Sequence, residues 1–427
     1  MSGVKALRNN NVKVLFVHQN FPGQYKHLAP ALAEDPGNEV VALGLDSNLG
    51  RLKHPGVREV GYSNPLGAGP ETHHYLHQLE SAVRRGQEVV RTAEKLNRGG
   101  FQPDLVCCHP GWGEGLYLRD LWPRARLLYY FEFYYHAYGY DIGFDPEFPR
   151  HYDQKFKART RNALHHLNLN VADWGITPTH WQHASMPEEY RHKISVIFDG
   201  IDTGVAAPSR EARVPLPNGA SLTSSDEVVT FVNRNLEPYR GYHIFMRALP
   251  KILADHPRAQ VVIVGGDGES YGPKVKGAQS HKAKYMAEVV NEIDRSRVHF
   301  TGHVPFATYI SILQISSVHV YLTYPFVLSW ALLEAMSTGC AVVASSTGPV
   351  EEVIRDGDNG LLFDFFDTDA LARRVHEVLD NPDRMEDMRT RARQTVVERY
   401  DLNSVCLPRQ MILARRLGVG ETPSQDD

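Results

Sequence analysis

Tyr324-Pro-Phe-Val-Leu-Ser-Trp-Ala-Leu-Leu-Glu334-Ala-Met-Ser-Thr-Gly339 lies between two apolar runs, residues 318–322 before it and Cys340-Ala-Val-Val-Ala344 after it. The whole reads as strand, short loop, helix and strand. The helix carries one acid, Glu334, on a face otherwise made of Ala331, Leu332, Leu333, Ala335 and Met336. A carboxylate one or two turns into a helix can accept hydrogen bonds from sugar hydroxyls. The unpaired backbone N–H groups at a helix start favour an anion such as a diphosphate. A lone buried carboxylate is costly unless paired, so the competing role for Glu334 is structural, with an arginine partner.

The same grammar runs through the rest of the chain. The second half opens with strand Val228-Val-Thr-Phe-Val232, loop Asn233-Arg-Asn-Leu-Glu-Pro-Tyr-Arg240 and a helix over 241–253. Strand 261–264 follows, then loop Gly265-Gly-Asp-Gly268 and strands at 298–300 and 361–363. The first half has strand Val12-Lys-Val-Leu-Phe-Val17, loop His18-Gln-Asn-Phe-Pro-Gly-Gln24 and a helix ending near Ala33. After a strand at 40–43 comes a long helix over 76–96 with apolar or small residues at helical spacing. Strand Asp104-Leu-Val-Cys-Cys108 runs into His109-Pro-Gly-Trp-Gly-Glu114, and strand Leu127-Leu-Tyr-Tyr-Phe131 into Glu132.

Strands alternating with helices predict an α/β fold: two Rossmann-like domains, each with a parallel sheet covered on both faces, with a cleft between them. Ligands in such sheets bind outside the carboxyl ends of the strands, where the loops above lie. At 427 residues the chain exceeds what one hydrophobic core usually serves. Between Asp202 and Glu227 the composition turns to Pro, Ser, Gly and Ala without periodicity, the mark of a linker. The expected division is a first domain at 11–203, a linker at 204–226 and a second domain at 227–398. A terminal helix at 399–418 and a disordered tail at 419–427 complete it.

Bulk properties narrow the function classes. A hydrophobic content of 42% and a mean hydropathy of −0.36 suit a soluble globular enzyme. The net charge of −4 gives no reason to expect nucleic acid as a partner. No apolar run is long enough to span a bilayer, and Met-Ser-Gly-Val-Lys-Ala-Leu-Arg lacks the apolar core of a signal peptide. Cys107, Cys108, Cys340 and Cys406 form no C-x-x-C pair and read as reduced packing residues of a cytoplasmic protein. The 21 histidines show no metal-ligand spacing, so neither metal nor other cofactor is expected.

Several side chains then stand out by chemistry. Arg234 and Arg240 beside a helix start can neutralise a diphosphate through charge-assisted bonds, the bland alternative being solvated loop arginines near Glu237. His109 ends a strand, where it either contacts sugar or phosphate or simply packs. Glu132 ends the next strand, where it is a base, an acceptor-hydroxyl ligand or neither. The cluster Tyr129, Tyr130, Phe131, Phe133, Tyr134, Tyr135, Tyr138 and Tyr140 suits sugar stacking or a partner interface. Lys155, Lys157, Arg159 and Arg161 form a solvated helix face or a peripheral contact with an anionic membrane.

The stretch 324–339 resembles the donor-sugar motif of the family 4 glycosyltransferases, similar to the bacterial group 1 glycosyltransferases, which have the GT-B fold. The segment 231–241 resembles the phosphate-binding segment of that family, with Arg240 in place of its lysine and one residue more between the cations. Glu334 then corresponds to the acid on the donor ribose. Eight positions earlier, where the family carries a second glutamate toward the donor hexose, this chain has Phe326. The resemblance implies further donor contacts at Gly23, Gly266, Asp267, Gly268 and His303, and at the backbone of Phe326, Val327, Leu328 and Ser329. It implies a catalytic set of Arg234, Arg240, Glu334, His109 and Glu132. The implied activity is metal-free transfer of a hexosyl-type group from a nucleotide-sugar donor to a glycan, lipid-linked or small-molecule acceptor, with retention of configuration. The replacement at Phe326 keeps open a catalytically silent sugar-binding or partner protein. An epimerase on the same fold ranks lower, and a nicotinamide enzyme lower still, since neither half opens with G-x-G-x-x-G.

Overall fold

The computed structural model describes residues 11–216 and 219–425 and divides into two compact units, 1–199 with 406–427, and 200–405. Each unit is built on its own parallel sheet.

The first sheet has seven strands: β1 (Lys13–Val17), β2 (Glu39–Leu45), β3 (Val57–Tyr62), β4 (Leu105–Cys108), β5 (Arg126–Tyr130), β6 (Trp174–Thr177) and β7 (Ile194–Val196). Their spatial order is β3-β2-β1-β4-β5-β6-β7, every pairing parallel. Alternate residues face opposite ways, so the two faces of β1 feed different cores. Leu15 and Val17 pack with Val89, Ala93 and Leu96 of helix His77–Arg98, while Val14 and Phe16 pack with Leu28, Ala29 and Leu32 of helix Leu28–Ala33. The second face is also covered by Leu413, Ala414 and Leu417 of helix Leu407–Gly418, which belongs to this unit although it follows the other in the chain.

The second sheet has six strands: β10 (Val228–Asn235), β11 (Gln260–Gly266), β12 (Val298–Gly302), β13 (Val318–Tyr321), β14 (Ala341–Ser345) and β15 (Leu361–Phe363). Their order is β12-β11-β10-β13-β14-β15, again all parallel. Helix Tyr242–Asp255 packs Phe245 onto Phe231 of β10 with ring centroids 4.5 Å apart and planes 6° from parallel. In both sheets the strand order reverses beside the first strand of the unit, between β1 and β4 and between β10 and β13. Those reversals are the topological switch points at which such sheets bind ligands.

Three details depart from the sequence reading. The stretch read as an aperiodic linker contains an antiparallel pair, β8 (Arg213–Pro215) and β9 (Ser221–Thr223), because Val214 and Leu222 both find buried positions. Arg234 is the penultimate residue of β10 rather than part of the following loop, since pairing with β11 continues to Asn235 past a register shift. The chain beyond residue 418 is held: Gly420 accepts from Arg126, Ser424 from Ser195, and the Gln425 amide donates to Arg191. Residues 426 and 427 of the expected disordered tail lie outside the described residues.

Candidate functional site

In the first unit, β1, β4 and β5 deliver His18, His109 and Glu132 to one place at their carboxyl ends. His18 follows β1 directly and donates its backbone N–H to Leu43; His109 follows β4 and donates to Val17. His18 is 3% exposed. Its Nδ1 accepts from the Asn20 N–H at 2.9 Å, which leaves Nε2–H to donate to Gln24 Oε1 at 2.8 Å. This fixes the neutral tautomer. Burial, and then the neighbouring His109, push its pKa down to about 3.

Gly23 turns the loop between these residues. Its φ of +48° belongs to the left-handed region, and a Cβ there would meet His18 Nε2 at 2.4 Å, so both conformation and space require glycine. The Gln24 amide reaches toward Glu132 Oε1 at 3.5 Å. His109 stacks between Trp112, 4.3 Å away, and Tyr130, 5.6 Å away, with His18 edge-on at 5.3 Å. Its Nδ1 accepts from the Gly111 N–H, and its Nε2 lies 3.7 Å from Glu132 Oε2 without a hydrogen-bond partner. Gly23, His109 and Glu132 are therefore assembled, with His18 and Gln24 as the unanticipated connectors. The sequence signal for both was available: a histidine at a strand end and an amide just after a Pro-Gly turn.

The aromatic run beyond β5 is mostly structural. Tyr129, Tyr130, Phe131 and Phe133 are buried, and Tyr138 alone of the eight is well exposed. The core takes them because β5 is interior to the sheet and its two faces are both covered. Glu114, quoted above only as part of a loop, is fully buried, accepts from the Tyr62 phenol at 3.0 Å and lies 3.8 Å from Arg85 Nε.

In the second unit the sequence-predicted residues separate into three groups. Arg240 is 6% exposed and sits at the switch between β10 and β13. Its guanidinium donates to Thr323 Oγ1 at 2.7 Å and to the Val327 carbonyl at 3.0 Å, and lies 5.1 Å from the Tyr271 ring centre. It is thus tied into the loop that carries Phe326, Val327, Leu328 and Ser329. Ser329 caps helix Trp330–Ser337: its Oγ accepts from the Ala331 N–H, while its own N–H donates to the Tyr321 phenol. Capping and phenol together occupy part of the N–H set that the sequence reading offers to a donor.

Glu334 lies farther along that helix, half-buried, and accepts a 2.6 Å hydrogen bond from the Tyr309 phenol. Burial and then the carboxylate push the phenol's pKa well up, so Tyr309 keeps its proton as the donor. The structural reading calls for a partner beside this acid, and the Tyr309 phenol is one.

The third group stands at the ends of β11 and β12. A Cβ on Gly266 would meet His303 Nε2 at 2.3 Å and Asn235 Oδ1 at 2.7 Å, and Gly268 also faces Asn235. Asp267 pairs with Lys282 at 3.3 Å. Arg234 is exposed and makes no ion pair or hydrogen bond among the described residues.

Two residues missed by sequence reasoning organise this region. Glu237, 1% exposed, accepts from the consecutive backbone N–H groups of Ser270, Tyr271 and Gly272 at 3.1, 3.2 and 3.0 Å. Tyr271 is thereby set against Arg240 and against Phe326, with ring centroids 5.1 Å apart in the second case. Phe326 is 7% exposed and also meets Tyr239 edge-on at 5.7 Å. Among the described residues no three His, Cys, Asp or Glu side chains are grouped so as to hold a metal ion, and no helix is long and apolar enough to cross a membrane.

Comparison with known proteins places these residues in context. The model of the glycosyl transferase family 4 group matches residues 36–206, and that of the glycosyl transferases group 1 matches residues 218–395. The D-inositol 3-phosphate glycosyltransferase of Acidothermus cellulolyticus is 27% identical over 192 residues, 44% of this chain and 41% of that protein. The chain thus spans less than half the length of that relative. Sucrose-phosphate synthase from Thermosynechococcus elongatus superposes with a TM-score of 0.72 at 17% identity, over 96% of this chain and 100% of that one. The Anabaena protein HepE, solved in complex with UDP-glucose, superposes with a TM-score of 0.65 at 18% identity, over 94% and 98%. At such identities the likeness is one of fold, and that fold is GT-B.

Proposed function

The chain belongs to the glycosyltransferases described by those two adjacent family models, and from that premise we propose that it moves a hexosyl-type group from a nucleotide-sugar to an acceptor hydroxyl, retaining configuration and using no metal. The observation that carries this reading is Arg240, a cation fixed at the switch point of the second sheet and bonded to the loop ahead of the Glu334 helix. The UDP-glucose bound by HepE supports a nucleotide-sugar as donor here.

When the bond at the anomeric carbon breaks, negative charge gathers on the departing diphosphate. Arg240 and the unpartnered Arg234 are the cations that stabilise it, and preorganised charge of this kind favours the transition state over the ground state. That is the role a divalent metal would otherwise take. Glu334 accepts from the ribose hydroxyls. In the first unit His109 and Glu132 present an imidazole nitrogen and a carboxylate to acceptor or donor hydroxyls, with the Gln24 amide beside the carboxylate.

A second reading, a sugar-binding protein without turnover, is favoured by Phe326, whose ring is packed where an acid would face the sugar. The test is direct. Nucleoside diphosphates should raise the melting temperature, since a ligand of the folded state alone adds apparent stability. Nucleotide-sugars should then release nucleoside diphosphate in the presence of EDTA. Stabilisation without release across a broad panel of donors and acceptors supports the second reading. Activity that vanishes with EDTA and returns with a divalent ion refutes the metal-free mechanism.

A further inference from the structure

We propose that His18 is a positioning residue of the transfer reaction: through Gln24 it turns the Glu132 carboxylate so that one oxygen, together with His109 Nε2, captures a single sugar hydroxyl. The inference rests on the reading of His109 and Glu132 as hydroxyl ligands and deepens it. Glu132 follows β5 with its backbone held, since its carbonyl accepts from the Gln182 side-chain amide at 2.5 Å. Its side chain is long, rotatable and 33% exposed. Among the described residues, Gln24 is the hydrogen-bond donor that reaches its carboxylate.

The direction of that contact is set from its far end. The Asn20 N–H occupies His18 Nδ1, so the ring proton is on Nε2 and must face an acceptor. Gln24 therefore turns Oε1 to His18, at 2.8 Å, and its amide nitrogen to Glu132 Oε1, at 3.5 Å. Contacts of this kind are commonly long before a substrate binds. Burial and the neighbouring His109 keep His18 neutral, so the tautomer holds across the neutral pH range. With one Glu132 oxygen engaged, the other, Oε2, lies 3.7 Å from His109 Nε2. His109 is 3% exposed, and its Nδ1 accepts from the Gly111 N–H, so Nε2 carries a proton that no described residue accepts. The gap leaves room for one oxygen within about 2.8 Å of both groups. That oxygen has to accept from Nε2–H and donate to the carboxylate. A hydroxyl does both; an ether, a carbonyl or an ammonium does not.

The test sets two substitutions of one residue side by side. In His18→Gln the new amide nitrogen reaches the region of Nε2 and still donates to Gln24. In His18→Asn the shorter amide keeps the Asn20 contact and falls short of Gln24. Both lose the ring and its packing. Release of nucleoside diphosphate is followed from UDP-glucose, UDP-N-acetylglucosamine and GDP-mannose, first in water alone and then with glucose, glycerol or inositol as acceptor. His18→Asn should lower kcat/KM about tenfold, while His18→Gln stays within about threefold of the wild type. In a Gln24→Met background His18→Asn should add nothing, because the two act as one unit. A loss confined to the reactions with acceptor assigns the captured hydroxyl to the acceptor; a raised KM for the donor in water alone assigns it to the donor sugar. If His18→Asn does not fold, Gln24→Met, at a half-buried position, carries the test and should show the same loss with the melting temperature unchanged. Equal losses in the two His18 variants, or losses at His18 and Gln24 that multiply, mean that the ring only packs; they overturn the inference while leaving glycosyl transfer intact. A wild type that turns over none of the donors overturns the transfer reading on which this deduction rests.

Discussion

The phenol of Tyr309 and the carboxylate of Glu334 are 2.6 Å apart, on two helices that follow consecutive strands of the second sheet. The tyrosine donates, and its own proton is held tightly by burial and by the acid. The acid is therefore oriented before any ligand arrives, which lowers the ordering needed on binding. Tyr309→Phe should weaken the donor by about 1–2 kcal/mol, seen as a higher KM with kcat little changed. A donor lacking the ribose 2′-hydroxyl should show a smaller penalty from the same substitution. An unchanged KM would deny Glu334 its ribose contact.

Arg240 is buried as well as charged, so its removal acts twice. Arg240→Ala should abolish release of nucleoside diphosphate and also lower stability by about 1–3 kcal/mol, because Thr323 and Val327 lose their donor. Arg234→Ala, at an exposed and unpartnered site, should lower activity with the melting temperature unchanged. Circular dichroism melts beside kinetics separate the two effects; a fully active Arg234→Ala would remove that residue from the mechanism.

Glu237→Ala strips the acceptor from three backbone N–H groups at once. A loss of roughly 2–4 kcal/mol is expected, with early proteolytic cleavage near Tyr271. Retained protection of that segment in hydrogen exchange would show that other contacts hold it.

Acid should destabilise the protein through His18, His165 and His319, all buried and all pushed down to about 3 from an ordinary 6.5. Between those values the unfolded chain binds the protons and the folded chain does not. Stability is therefore complete above pH 6.5 and falls as pH drops, by about 1.4 kcal/mol per pH unit for each group. His319→Gln, in the second unit, should flatten the dependence of unfolding free energy on pH between 4 and 6.5. The substitution should reduce the slope by the share of one group, about 1.4 kcal/mol per pH unit; an undiminished slope would mean that this ring is charged when folded.

Gly23→Ala should displace His18 and disconnect Gln24 from it, since the added carbon overlaps the ring and φ is positive. Activity should fall by more than stability, the latter by about 1–2 kcal/mol. Wild-type turnover in this variant would show that the loop is a spacer.

Much of the architecture was legible because buried parallel strands announce themselves as short apolar runs, and β1, β4, β10, β11 and β13 all do so. Strands β3, β6 and β7 were not foreseen: Val57–Tyr62 carries charges on an edge strand, and Ile194–Val196 is too short for periodicity to speak. Strand ends also located His109, Glu132 and Arg240 correctly as loop-side groups. What sequence order could not reveal was pairing across distance. Tyr309 meets Glu334 over 25 positions, Glu237 meets Gly272 over 35, and Gln24 approaches Glu132 over 108. Nothing local marks Glu237 as a backbone clamp, because three amides of an irregular loop supply its partners.

Helix Leu407–Gly418 supplies Leu413, Ala414 and Leu417 to the core beneath β1 and β4. A ribosome will have emitted the whole second unit before that wall arrives, so the first unit must wait, incompletely clad, while the second matures. Anyone wishing to produce the two halves as independent pieces should therefore graft those terminal turns onto the first, or rewire the chain's ends to carry them there.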